Sequence, residues 1–216
     1  WLDTGRPDLA LDRRCLHWPL TFPEVFLAPG RSGFDAIVGN PPFLGGKRIS
    51  GASGTAYREF IAEHIGEGVK GNADLVAYFF LRTYSLLGVP GVLGLLATNT
   101  IAQGDTREVG LDRLEQRGAT IIRAVPSEPW PGTTSLEIAK VWIQRGKWEG
   151  AKVLSGTTVR AISPMLVMPG RATGMPYRLK ANEGKSFQGS VILGTGFTLE
   201  DGDPLDTVVR TDMGDD

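Results

Sequence analysis

Asn40, Pro41, Pro42 and Phe43 follow directly on a short apolar run, FDAIVG, and stand one residue ahead of two glycines. The Asn40 side chain carries an amide oxygen and Pro41 a main-chain carbonyl. The prolines remove backbone N–H donors that would otherwise compete for those oxygens. Two acceptors this close suit a ligand with two N–H donors on one nitrogen, that is, an amino group. Phe43 adds a flat apolar face on which a ring can stack. The same residues also make a plain stop for a strand, because proline cannot continue a central one.

Such residues need a strand to carry them and a sheet to carry the strand. Residues 34–39 are short, apolar and closed by Gly39 and the prolines, which predicts a buried strand. Residues 56–65 place Tyr57, Phe60, Ile61 and Ile65 at helical spacing. With Asn72 as N-cap, residues 73–87 read as a helix apolar nearly all round, hence buried, and stopped by Gly88 and Pro90. GVLGLLAT (91–98) reads as the next strand, with Asn99 and Thr100 at its carboxyl end. A helix from Asp105 or Thr106 to Arg117 follows, closed by Gly118. The runs 119–125 and 135–146 are strands separated by PSEPWPGTT, whose prolines forbid regular structure. No crossover helix lies between them, so they are expected to pair antiparallel at a sheet edge. This alternation is that of an α/β domain with a mostly parallel sheet. Ligands bind such sheets outside the carboxyl ends of the strands, where Asn40 to Phe43 lie.

The composition narrows the chemistry. A chain of 216 residues, 41% hydrophobic, is long enough for a compact core. One cysteine, Cys15, makes no internal disulfide, and no Cys/His cluster has zinc-ligand spacing, so no metal is expected and a reducing cytoplasmic setting is. The most apolar region, 73–97, is interrupted by Arg82, Gly88 and Pro90 and falls short of a membrane span. His17 beside Trp18 reads as a packed connector, and His64 has no partner cluster. The net charge of −1 is uneven: residues 200–216 hold seven of the 24 acids, and residues 140–185 hold nine bases against Glu149 and Glu183. That basic segment suits a phosphate backbone, or is a solvated face balancing the tail.

The tetrapeptide in this setting resembles the catalytic motif of amino-group methyltransferases that use S-adenosylmethionine, above all the DNA adenine-N6 enzymes. The resemblance extends, in order, through HWPLTFPEVF (17–26), GFDAIVGNPPFLGG (33–46), ADLVAYFFLRTYSLL (73–87), GLLATNTIAQGDTREVG (94–110), RAVPSEPWPGTTSLEIAKVW (123–142) and SFQGSVILGTGF (186–197). Together these are similar to the large bacterial restriction-modification polypeptides of the MmeI-like type. The resemblance implies the C-terminal half of a Rossmann-like class I methyltransferase sheet at 31–146, after a connector at 1–30. The start of a mixed α/β target-recognition domain with an acidic tail would then occupy 147–216. It implies double-stranded DNA as partner, with the adenine flipped out of the stack. Asn40 and the Pro41 carbonyl would accept the two N6 hydrogens, with Pro42 completing the motif and Phe43 stacking on the purine. Asn40, Asp74 and Phe79 would lie near the cofactor. Trp130 occupies the place of a second stacking aromatic, or simply packs over its proline-rich turn.

The family's glycine-rich cofactor turn, resembling Phe-x-Gly-x-Gly, and the acid ending its second strand are not found in residues 1–33. With Trp1 in place of Met, the chain reads as a fragment with its N-terminal partner half missing and little activity alone. LGTGF (193–197) is no substitute, because the following TLEDGDP breaks before a helix can form. GGKR (45–48) departs from a phosphate loop at both ends; Gly45 and Gly46 are expected to form a flexible lip. Cytosine C5 methylation is excluded, since Cys15 lacks the proline that precedes that family's nucleophile. Methylation of a guanine N2 or a glutamine amide, and a non-catalytic DNA-binding module, remain as alternatives.

Overall fold

The computed structural model describes residues 16–69 and 71–170. Cys15, the LGTGF segment, the bases beyond Gly170 and the acids of 200–216 lie outside them. Two short helices, α1 (Trp18–Thr21) and α2 (Pro23–Phe26), lead into β1 (Phe34–Gly39). They turn Trp18, Phe22 and Phe26 onto Phe34, with ring centroids 5.7, 5.5 and 5.3 Å away. This explains the aromatic content of the connector.

Helices α3 (Gly46–Ser53), α4 (Thr55–His64) and α5 (Leu75–Leu86) follow. Helix α5 buries Leu75 to Tyr78, Phe80, Leu81 and Tyr84, which is why its sequence shows no polar stripe. Full burial of side chains such as Phe80 and Leu81 contributes about 1.5–3 kcal/mol each. The chain passes from α5 straight into β2 (Leu87–Thr98), which starts earlier than its composition suggests. A 3₁₀ turn (Asn99–Ala102) and helices α6 (Gly104–Val109) and α7 (Leu111–Gln116) come next. The helix expected from 105 to 117 is thus two. Gly110 breaks it, and a Cβ there would stand 2.9 Å from the Thr106 carbonyl oxygen and 3.2 Å from Ala77 Cβ, so the break admits α5.

Strands β3 (Ala119–Pro129) and β4 (Glu137–Arg145) form the expected antiparallel pair. Two short strands, β5 (Lys152–Leu154) and β6 (Thr157–Val159), extend the sheet past Gly146, so the β3–β4 pair lies inside it rather than at its edge. The six-stranded order is β1-β2-β4-β3-β5-β6. The sheet is mixed, not mostly parallel: β1 pairs parallel with β2 and β3 with β5, while β2–β4, β3–β4 and β5–β6 are antiparallel. The cause is the proline-rich connection between β3 and β4, too short for the crossover that a parallel pair requires. Leu93, Leu95, Ala97, Ala139, Val141 and Ile143 are buried in the core that includes α5 and α7. Among the described residues no helix is long and apolar enough to cross a membrane, and no group of metal-ligating side chains occurs.

Candidate active site at the carboxyl edge of the sheet

Because β1 and β2 run parallel, Asn40 and Asn99 emerge at the same edge of the sheet. Strand β4 is antiparallel to both β2 and β3, so β3 also ends there, carrying Trp130. The register puts Asn40, Phe43, Asn99 and Trp130 at the same end of the sheet, although the first and last are 90 residues apart.

Within the tetrapeptide, Asn40 and Pro42 are exposed, Pro41 is buried and Phe43 is half-buried against the core. The loop is pinned immediately after Phe43. Leu44 N–H donates to Asp74 Oδ1 at 3.1 Å, and the Leu75 N–H donates to the Leu44 carbonyl at 2.9 Å. Asp74 Oδ1 also accepts from the Val76 N–H at 2.9 Å, so Asp74 is the N-cap of α5, a role the sequence suggested for Asn72. The Asp74 N–H donates to Thr106 Oγ1 at 3.1 Å. One buried residue therefore joins three parts: its carboxylate ties the loop after β1 to the start of α5, and its backbone N–H reaches α6 through Thr106. Asn72 is used differently: its N–H donates to Asp105 Oδ2 at 2.6 Å and its side-chain oxygen accepts from Arg58 at 3.1 Å.

Of the two glycines expected to form a flexible lip, Gly45 is exposed and Gly46 is packed. Gly46 is buried at the start of α3, and a Cβ there would meet the Asn72 carbonyl carbon and oxygen at 2.4 Å. Phe79 is 37% exposed and lines a cleft of about 160 Å³ between α4 and α5, with Tyr57, Ile61, Ile65, Leu75, Tyr78 and Arg82. Burial raises the Tyr78 phenol above its ordinary range, against a smaller opposing pull from Arg58. Trp130 is half-buried at the neck of the β3–β4 loop, where its backbone N–H donates to the Leu136 carbonyl at 2.8 Å and its indole lies against Gly132 of the same turn. Sequence reasoning missed the Leu44 N–H and the Thr106 hydroxyl as supports of the site. Thr106 showed only as a helix-cap candidate, and a backbone N–H has no signature.

A profile of the Eco57I restriction-modification methylases matches residues 4–117, more than half of the chain and the part that holds β1, α5 and β2. No curated protein matches by sequence. Among solved structures, the type IIL restriction-modification enzyme MmeI, determined in complex with DNA, is similar in fold. The TM-score is 0.53 at 17% identity over 66% of this chain. The match covers 21% of the MmeI chain, so this chain spans about a fifth of that length.

Proposed function

The chain belongs to the Eco57I restriction-modification methylase family, and from that premise we propose that it supplies the target-amine side of a DNA methyltransferase active site. The substrate is the N6 amino group of an adenine swung out of duplex DNA, and the methyl donor is S-adenosylmethionine. The observation that carries this reading is the exposed Asn40 at the end of a parallel strand, followed by buried Pro41 in a loop clamped by Asp74.

Asn40 Oδ1 and the Pro41 carbonyl accept the two amino hydrogens. Those bonds hold the nitrogen lone pair out of conjugation with the purine and aim it away from the sheet. Phe43 stacks on one side of the ring and Trp130 closes against it from the β3–β4 loop. Extrusion is needed because the amino group is inaccessible to this geometry inside the base stack. The cofactor, when bound, supplies a methyl group on a positively charged sulfur. Asp74 fits the near side of its site: Oδ1 accepts from two backbone N–H groups, so the second carboxylate oxygen, Oδ2, is the one that would face the cofactor. Phe79 and Asn40 complete that side. Catalysis by this part of the chain is then positioning and hydrogen bonding, with no covalent nucleophile.

The test uses the natural-length polypeptide that carries this chain, tritiated methyl donor and unmethylated bacterial DNA, with the product nucleoside identified by chromatography. Asn40→Ala is expected to lower turnover by about 10²-fold or more, the scale of losing a preorganised polar group. Label in N6-methyladenine supports the reading. Unchanged turnover, or label in guanine or in protein, overturns it.

A further inference from the structure

Strand β3 does not pair evenly with β4. Val125 faces Lys140 and Glu128 faces Ile138, so Pro126 and Ser127 together oppose Ala139 and one residue is in excess. A bulge of this kind breaks the strand's alternation and redirects a side chain. Ser127 is the residue redirected: its Oγ lies 2.7 Å from Glu137 Oε2 and 3.4 Å from Asn99 Nδ2. The three come from different elements, namely the 3₁₀ turn after β2, the bulge of β3 and the first residue of β4.

The direction of the bonds follows from the proton count. An ionised carboxylate only accepts, so Ser127 gives its single hydroxyl proton to Glu137. What remains on Oγ toward Asn99 is a lone pair, and the Asn99 amide must meet it with its NH₂. The relay therefore has one sense, Asn99 to Ser127 to Glu137, and one amide orientation. Three residues after Ser127, the Trp130 N–H to Leu136 bond closes the loop of residues 131–135.

We propose that Ser127 and Glu137 are positioning residues that, through Asn99, lock the neck of the Trp130 loop to the end of β2. The proposal rests on the reading in which Trp130 closes against the extruded base. Register alone places the β3–β4 loop on the correct edge, but a hairpin neck carrying a bulge has freedom to splay. The relay removes that freedom by tying the bulge to β4 on one side and to β2 on the other. Trp130 is then held at the end of the sheet where Asn40 to Phe43 lie before the nucleotide arrives.

In the natural-length polypeptide, Ser127→Ala and Glu137→Gln are expected to lower kcat for DNA methylation by about 10- to 100-fold, the cost of misplacing a contact by about an ångström. Glu137→Gln keeps the shape but can offer Ser127 an N–H, which sets the relay's sense free. DNA affinity should stay within about threefold, because contacts to the phosphate backbone, which these substitutions leave in place, dominate binding. Ser127→Thr, which keeps the hydroxyl, should recover most of the rate. Melting temperatures of all variants are measured alongside. The proposal is overturned if Ser127→Ala turns over like wild type while Asn40→Ala is inactive. It also fails if the rate loss follows loss of melting temperature, or if Ser127→Thr is no better than Ser127→Ala. Full activity of Asn40→Ala would instead sink the underlying reading.

Discussion

Asp74 illustrates how much one side chain can hold. Its Oδ1 accepts from the Leu44 and Val76 N–H groups, and its own N–H is taken by Thr106. Removing the carboxylate leaves two backbone donors without a partner in a nearly dry place, since Asp74 is 8% exposed. Asp74→Ala should therefore lower stability by about 1–2 kcal/mol, the upper range for loss of an N-cap. Asp74→Asn keeps an oxygen in the same place and should melt close to wild type. The pair separates the structural duty from the cofactor role proposed for this residue: if Oδ2 serves the cofactor, Asp74→Asn weakens methyl-donor binding in calorimetry without a fall in melting temperature. In the sequence, Asp74 stood out only through the family resemblance, as a residue near the cofactor. Its choice over Asn72 as the cap depends on Asp105, 31 residues downstream, which holds the Asn72 N–H.

Helices α5 and α6 meet through a polar contact between otherwise apolar surfaces. Thr106, itself buried, presents Oγ1 to the Asp74 N–H at the place where the two helices start. Thr106→Val preserves the shape but strands that N–H, which costs about 1–3 kcal/mol when the donor is buried. Thr106→Ser should cost much less, and chemical denaturation of the two variants measures the difference. The elements themselves were mostly readable: β1, α4, α5 and β4 lie where apolar spacing and breakers put them, whereas β2 starts at Leu87, ahead of Gly88 and Pro90, and β3 runs on through Pro126 to Pro129. The failures have local causes. Helices α1 and α2 each have four residues, too few for a periodic signal, and α3 carries Gly46 and Gly51 in a stretch that composition assigns to a loop. Gly110 splits α6 from α7 because Ala77 of another helix needs the space.

In the described part of the chain the sheet begins at β1. Among the described residues nothing pairs with the outer edge of β1, and Val38, in the middle of an apolar strand, is 84% exposed. Parallel strands are normally covered on both sides, and an open apolar edge is a template for pairing with another chain. The 216-residue chain on its own is accordingly expected to self-associate as its concentration rises. Val38→Lys, a charge on that strand, should shift it toward monomer in light scattering at matched concentration. An unchanged distribution would show that the exposed strand does not drive association.

Sequence order was enough to identify the strand that ends in Asn40, the acceptors that follow it, the buried helix behind it and the family whose profile matches residues 4–117. These are local matters: apolar spacing, proline's missing N–H and the donor–acceptor character of an amide are properties of neighbours along the chain. Which residues share an edge is not local. The parallel pairing of β1 with β2, and the return of β3 beside β4, bring Asn99, Ser127, Glu137 and Trp130 to the end of the sheet where Asn40 stands. The clamp of Leu44 by Asp74 likewise exists only once α5 packs under the sheet. Long-range hydrogen bonds and strand register are chosen by burial of the whole core, and no short stretch of sequence carries that information.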